Sequence, residues 1–166
     1  MGLVTAQKLA VMGFAVRGWS RTPKTIIGVE CFHGKEQFKR FLSQCQVIVC
    51  LLPLTPETEG ILCDETFSAL PLGAYLINVG RGKHLVEKDL LTALNSGQIA
   101  GACLDVFETE PLPKDHPFWS DPRIIMTPHI AASGQPSDAA NYIIDAIARY
   151  QTGQPLKYVI DRNQAY

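Results

Sequence analysis

The sequence predicts an α/β fold built on a parallel sheet, and three observations predict it. Residues 47–52, 75–79 and 99–106 are short, continuous apolar runs, as strands buried on both faces are. Between them lie stretches with apolar residues at helical spacing, closed by glycine. Arg81, Asp105 and His129 each stand at the end of such a run or close after it. Parallel strands gather their carboxyl ends at one edge, which is where open α/β sheets bind ligands.

Composition narrows the function classes. With 166 residues, 46% of them hydrophobic, the chain can bury one sizeable core. Lys+Arg is 15 against Asp+Glu 16, which leaves no electrostatic footprint for nucleic acid or an anionic membrane. No apolar stretch is long enough to span a bilayer. The first residues show no signal-peptide pattern, so a cytoplasmic location is expected. Cys31, Cys45, Cys50, Cys63 and Cys103 include no C-x-x-C pair and read as small buried hydrophobes in a reducing compartment. With His33, His84, His116 and His129 they show no zinc-ligand spacing, so no metal site is expected.

In order along the chain, residues 1–12 carry a helical pattern closed by Gly13, and residues 14–19 read as a strand. A dinucleotide-binding fold opens instead with a strand, G-x-G-x-x-G and a helix. Gly2 fits the last glycine of that fingerprint, with the first strand and the first two glycines missing. About 20 residues on, such a fold places the group that reads the ribose. Here Ser20-Arg21-Thr22-Pro23-Lys24 offers no acid for the 2′-hydroxyl of NAD. Its cations and hydroxyls suit the 2′-phosphate of NADP.

A short strand is expected at residues 29–32. A helix is expected over residues 35–45, with Phe38, Phe41 and Leu42 inward. The run at 47–52 stops at Pro53-Leu54-Thr55-Pro56-Glu57-Thr58, a stiff loop over a strand end that would lie along the cofactor's adenosine half. Residues 64–70 form a helix with Asp64 as its N-cap. The next strand ends in Val79-Gly80-Arg81-Gly82, where the glycines allow a sharp turn and a close approach. Arg81 is a permanent cation whose planar fork suits a carboxylate. Residues 87–96 form a helix closed by Gly97. Residues 99–106 form a strand, an acidic loop carries Glu108 and Glu110, and the stretch 123–132 gives a short strand that ends in His129, fixed by Pro128.

At these residues a family resemblance appears. Asn78-Val79-Gly80-Arg81-Gly82, Leu104-Asp105-Val106-Phe107-Glu108-Thr109-Glu110-Pro111-Leu112 and Thr127-Pro128-His129-Ile130-Ala131 resemble the D-isomer-specific 2-hydroxyacid dehydrogenases, in order and at that family's spacing. Trp19-Ser20-Arg21-Thr22, Phe41-Leu42-Ser43-Gln44-Cys45, Leu51-Leu52-Pro53 and Asp161-Arg162-Asn163-Gln164-Ala165-Tyr166 look most like the glyoxylate/hydroxypyruvate reductase A branch, which prefers NADPH. The resemblance implies an incomplete Rossmann-type doubly wound sheet and reduction of a small 2-keto acid by hydride transfer. It implies that Arg81 clamps the substrate carboxylate and polarises its carbonyl. His129 is then the general acid, and Glu110 orients it and favours its charged form. It places Gly2, Ser20, Arg21, Thr22, Leu52, Pro53, Thr58, Val79, Gly80, Asp105 and Ala131 at the cofactor, NADP(H) with NAD(H) as the second choice, and Asp105 at the nicotinamide carboxamide.

The departures shape the expected domain organisation. Residues 1–135 are expected to be a partial nucleotide-binding domain, and residues 136–166 the C-terminal helix and tail of a substrate domain otherwise absent. Ala139, Tyr142, Ile143, Ala146, Ile147 and Tyr150 form an apolar stripe, expected to be partly exposed or covered by a partner chain, and a full-length relative is expected to be a homodimer. Two other readings stay open: a truncated, inactive remnant, and a cofactor-sensing module without enzymatic activity.

Overall fold

The structure, a computed structural model, describes residues 1–132 and 134–159. The chain divides into two compact units, Met1–His129 and Ile130–Tyr166. The first runs α1 (Gly2–Val11), β1 (Val16–Ser20), β2 (Val29–His33), α2 (Phe38–Leu42), β3 (Val47–Cys50), α3 (Asp64–Ala69), β4 (Ala74–Asn78), α4 (Glu87–Ser96), β5 (Ile99–Leu104) and β6 (Ile124–Met126). The alternating α/β order and the parallel pairing are as the sequence predicts.

The strands form two sheets, β1-β2 and β3-β4-β5-β6. One core runs through both, from Phe32 on β2 through Leu42, Ile48, Leu76 and Leu104 to Ile124. Arg17 on β1 also sends Nη1 to the Gln44 carbonyl just ahead of β3, at 3.2 Å. β1 and β3 are each paired with one neighbour among the described residues.

The expectation that the apolar runs are buried on both faces is corrected. Ile48, Leu76, Ala102, Leu104 and Ile124 face the core, under Phe67 of α3 and Leu90 and Leu94 of α4. On the opposite face Val47 is 50% exposed, Tyr75 53% and Ile125 65%. Alternate residues of a strand point to opposite faces, and α3 and α4 cover one of them.

Three local expectations are corrected as well. The helix expected over residues 35–45 is the five residues of α2. Its first turn is lost because the Gln37 Oε1 accepts the His33 N–H at 2.8 Å and the Phe38 N–H closes on the Lys35 carbonyl. Asp64 is not an N-cap: Cys63 stands there, and the Asp64 N–H donates instead to Asp89 Oδ2 at 2.9 Å. The strand expected from Phe14 starts at Val16 because the Phe14 N–H still serves α1, donating to the Leu9 carbonyl while the Gly13 N–H donates to Ala10. This pair of bonds closes the helix with a left-handed residue, and Gly13 supplies it at φ +90°.

The second unit holds α5 (Pro136–Gln151), with proline in its first turn as expected. None of its residues is buried, and Tyr142, Ile143, Ile147 and Tyr150 of the apolar stripe are exposed. The family-like tail at residues 161–166 lies outside the described residues. No helix among the described residues is long and apolar enough to cross a membrane.

Candidate active site

The loops that leave β3, β4, β5 and β6 emerge at one edge, because these four strands are parallel neighbours. A cleft of about 220 Å³ opens there. Arg81, Glu110 and His129 all line it, with Leu54, Lys83 and Phe107 between them. Residues 48 positions apart in sequence thus share one small volume.

Each side chain is placed by its own backbone. Arg81 follows β4, is exposed, and donates from Nη1 to the Gly80 carbonyl at 2.7 Å. Gly82 shows the close approach expected of it: a Cβ there would collide with the Phe107 carbonyl and the Glu108 nitrogen. The β4 loop therefore lies directly against the β5 loop, and only a residue without a side chain allows it. Glu110 is held by that second loop, its Oε1 accepting the Phe107 N–H at 3.0 Å. His129 has a left-handed backbone, φ +55°, uncommon for a residue with a Cβ. Its N–H donates to the Asp105 carbonyl at 2.9 Å.

The ring of His129 meets Glu110: Nδ1 lies 2.8 Å from Oε2. That bond first, and the Phe107 N–H second, hold the Glu110 carboxyl below its ordinary pKa. With Nδ1 engaged, Nε2 is the ring nitrogen left for a substrate. The cleft thus combines a fixed guanidinium, a second cation in Lys83, and an imidazole oriented by a carboxylate.

The residues expected at the cofactor are more dispersed. Gly2 begins α1 and is exposed. Ser20 ends β1 and its hydroxyl donates to the Thr22 carbonyl at 2.9 Å, so Ser20, Arg21 and Thr22 form one turn. Leu52 and Pro53 follow β3, and the Thr58 hydroxyl ties the loop by donating to the Pro53 carbonyl at 2.7 Å. Val79 and Gly80 follow β4. Asp105 is 2% exposed, and its Oδ1 accepts the Thr127 hydroxyl at 2.6 Å. Ala131 falls in the second unit. Among the described residues no group of three or more His, Cys, Asp or Glu could hold a metal ion.

Two buried polar side chains at the cleft were given no role in the sequence reading. Asn78 is fully buried; its Oδ1 accepts the Gly80 N–H and its Nδ2 donates to the Arg81 carbonyl, both at 3.1 Å. His84 is fully buried with Nδ1 3.0 Å from the Arg81 N–H. Its spacing, three residues after Arg81, is the sequence signal: a side chain there reaches back to the first N–H of a turn, as in a capping box.

The chain is similar to known proteins. Residues 1–131 match the D-isomer specific 2-hydroxyacid dehydrogenase, NAD binding domain, family. A D-isomer specific 2-hydroxyacid dehydrogenase from Xanthobacter autotrophicus Py2, solved with NADPH and MES, is 47% identical over 99% of this chain and 68% of its own, with a TM-score of 0.96. An NADPH-dependent glyoxylate/hydroxypyruvate reductase from Sinorhizobium meliloti, solved with NADP and sulfate, is 42% identical over 99% of this chain and 54% of its own, with a TM-score of 0.95. A family protein from Klebsiella pneumoniae 342 is 45% identical over 96% of this chain and 51% of its own, with a TM-score of 0.92. The chain thus spans about half the length of the latter two. On this family match and these likenesses, the chain belongs to the D-isomer specific 2-hydroxyacid dehydrogenases, whose NAD-binding domain it carries at residues 1–131.

Proposed function

We propose that this chain is the cofactor-binding half of an NADPH-dependent reductase of small 2-keto acids, glyoxylate or hydroxypyruvate. The observation that carries the reading is the convergence of Arg81, Glu110 and His129 on one cleft. Arg81 holds the keto acid's carboxylate through paired N–H bonds and draws electron density from its carbonyl. His129 gives the proton on Nε2 to the carbonyl oxygen as that oxygen becomes an alkoxide. Glu110, kept ionised, holds Nδ1 and fixes the plane of the ring.

NADPH, when bound, supplies the hydride. The donor set after β1 fits its 2′-phosphate: Ser20, Arg21 and Thr22 form a turn with hydroxyls and a cation and no carboxylate. Gly2 at the start of α1, whose N-cap Met1 provides no side-chain hydrogen bond, would face the diphosphate. Leu52, Pro53 and Thr58, then Val79, Gly80 and Asp105, would line the remainder. In such an enzyme the products are glycolate or D-glycerate, and the protein is a homodimer of the cytoplasm.

The test is oxidation of NADPH by glyoxylate and by hydroxypyruvate, followed by absorbance, with NADH in parallel. Turnover that favours NADPH supports the reading. NADPH binding with no turnover of either keto acid, both in this chain and in a longer protein that contains it, contradicts the reading and indicates a cofactor-sensing module.

A further inference from the structure

The imidazole of His84 takes no part in the chemistry above, and its surroundings show what it does. It is fully buried. Nε2 lies 3.2 Å from the Pro53 carbonyl, across 31 positions of sequence, and Nδ1 lies 3.0 Å from the Arg81 N–H. A carbonyl only accepts, so Nε2 carries the proton; the Arg81 N–H needs an acceptor, so Nδ1 is bare. The Arg81 carbonyl is also 3.1 Å from Nδ1 but is already served by Asn78 Nδ2 at 3.1 Å and the His84 N–H at 3.2 Å.

The rest of the loop is closed in the same way. The Gly80 N–H goes to Asn78 Oδ1 and the Gly80 carbonyl to Arg81 Nη1. A Cβ on Gly80 would stand 2.9 Å from Nδ1, so the backbone lies directly on the ring. Every polar backbone group of Gly80 and Arg81 is thus satisfied, and His84 joins them to a different loop, the one after β3.

We propose that His84, as the neutral Nε2–H tautomer, is a positioning residue that fastens the Arg81 backbone to the loop after β3 and so sets where the guanidinium meets the substrate carboxylate. This rests on Arg81 being the carboxylate clamp. The two ring nitrogens have separable tasks: Nδ1 aims Arg81, and Nε2 anchors the aim to Pro53.

The experiment is titration of oxalate, a small planar dianion resembling a 2-keto acid, into the NADPH-loaded protein, for wild type, His84→Asn and His84→Gln. Asn puts a carboxamide oxygen where Nδ1 stood and keeps the Arg81 bond; Gln reaches only towards Pro53. Oxalate affinity is expected to fall about 10–100-fold in His84→Gln, as for a displaced positioning group, and by a smaller factor in His84→Asn, which keeps the bond to Arg81 but loses the tether to Pro53. NADPH affinity should fall by a smaller factor than oxalate affinity in His84→Gln, because the Pro53 carbonyl and Gly80 that His84 touches would also border the cofactor. Nitrogen NMR of the wild-type ring should show the proton on Nε2. Equal oxalate affinity in wild type and His84→Gln, equal losses in both variants with a matching drop in melting temperature, or a proton on Nδ1 each overturn the proposal. Failure of wild type itself to bind oxalate overturns the role of Arg81, and this inference with it.

Discussion

Glu110 Oε2 and His129 Nδ1 stand 2.8 Å apart at the rim of the cleft, although the carboxylate rides on the loop after β5 and the imidazole follows β6. Neither is deeply buried, at 38% and 48% side-chain exposure, so the pair orients the ring more than it stabilises the fold. The Glu110 carboxyl is held below its ordinary pKa by the imidazole and the Phe107 N–H. For a depressed carboxyl, any stabilisation is present above its unfolded pKa and is lost as pH falls through the folded value. Glu110→Gln should therefore lower keto-acid turnover by about tenfold or more at neutral pH. Its small stability difference from wild type, read from urea midpoints, should disappear on acidification. Unchanged turnover would remove Glu110 from the site.

Gly82 and Arg81 are neighbours with opposite expected phenotypes. Gly82→Ala forces a methyl group into the Phe107 carbonyl, and should cost about 1–3 kcal/mol or more as an overpacked contact. Arg81→Ala, at an exposed position, should change stability by no more than about 0.5 kcal/mol yet abolish most keto-acid affinity. Denaturant midpoints and oxalate titrations on the two variants check both statements. A destabilised Arg81→Ala with intact oxalate binding would contradict them.

Arg21 tests cofactor discrimination. Removing one cation from the turn proposed to hold the 2′-phosphate should weaken NADPH by roughly 1.5–3 kcal/mol, the scale of a charge-assisted hydrogen bond, and leave NADH alone. Fluorescence titration of both nucleotides against Arg21→Ala reads the difference. Equal weakening of both would place Arg21 away from the 2′-phosphate.

Asp121 sets an acid limit far from the chemistry. Its carboxylate accepts Arg123 Nε at 2.8 Å and Nη2 at 2.6 Å, which brings its pKa from 3.8 to about 2. Arg123 also reaches the Leu94 carbonyl and Asn95, tying the start of β6 to the end of α4. Being depressed, this group contributes stability above about pH 4 that is lost progressively towards pH 2. Melting curves of wild type and Asp121→Asn should differ above that window and converge within it; a gap that persists at the acid end would contradict the assignment.

Much of this was legible in the sequence, for identifiable reasons. α4 was read with its bounds intact because Leu90, Leu91 and Leu94 repeat at helical spacing and Gly97 stops it. Arg81, Glu110 and His129 were legible because chemistry placed beside strand ends converges whenever the strands are parallel. The exposed face of Val47, Tyr75 and Ile125 was not, because an apolar run does not reveal which of its faces a helix covers. Asp64 was misread because Cys63 holds the capping position, and the partner of the Asp64 N–H is Asp89, 25 positions away. His84 was passed over because its bonds to Arg81 and Pro53 depend on burial, which one histidine in a sequence does not announce.

The most direct measurement is NADPH oxidation by glyoxylate in wild type and His129→Asn, with NADPH affinity taken on the same samples. A proton donor of this kind is worth about 10²–10⁴-fold, so turnover should fall by that factor while nucleotide affinity holds. Turnover unaffected by the substitution, or turnover and affinity falling together, would contradict the account.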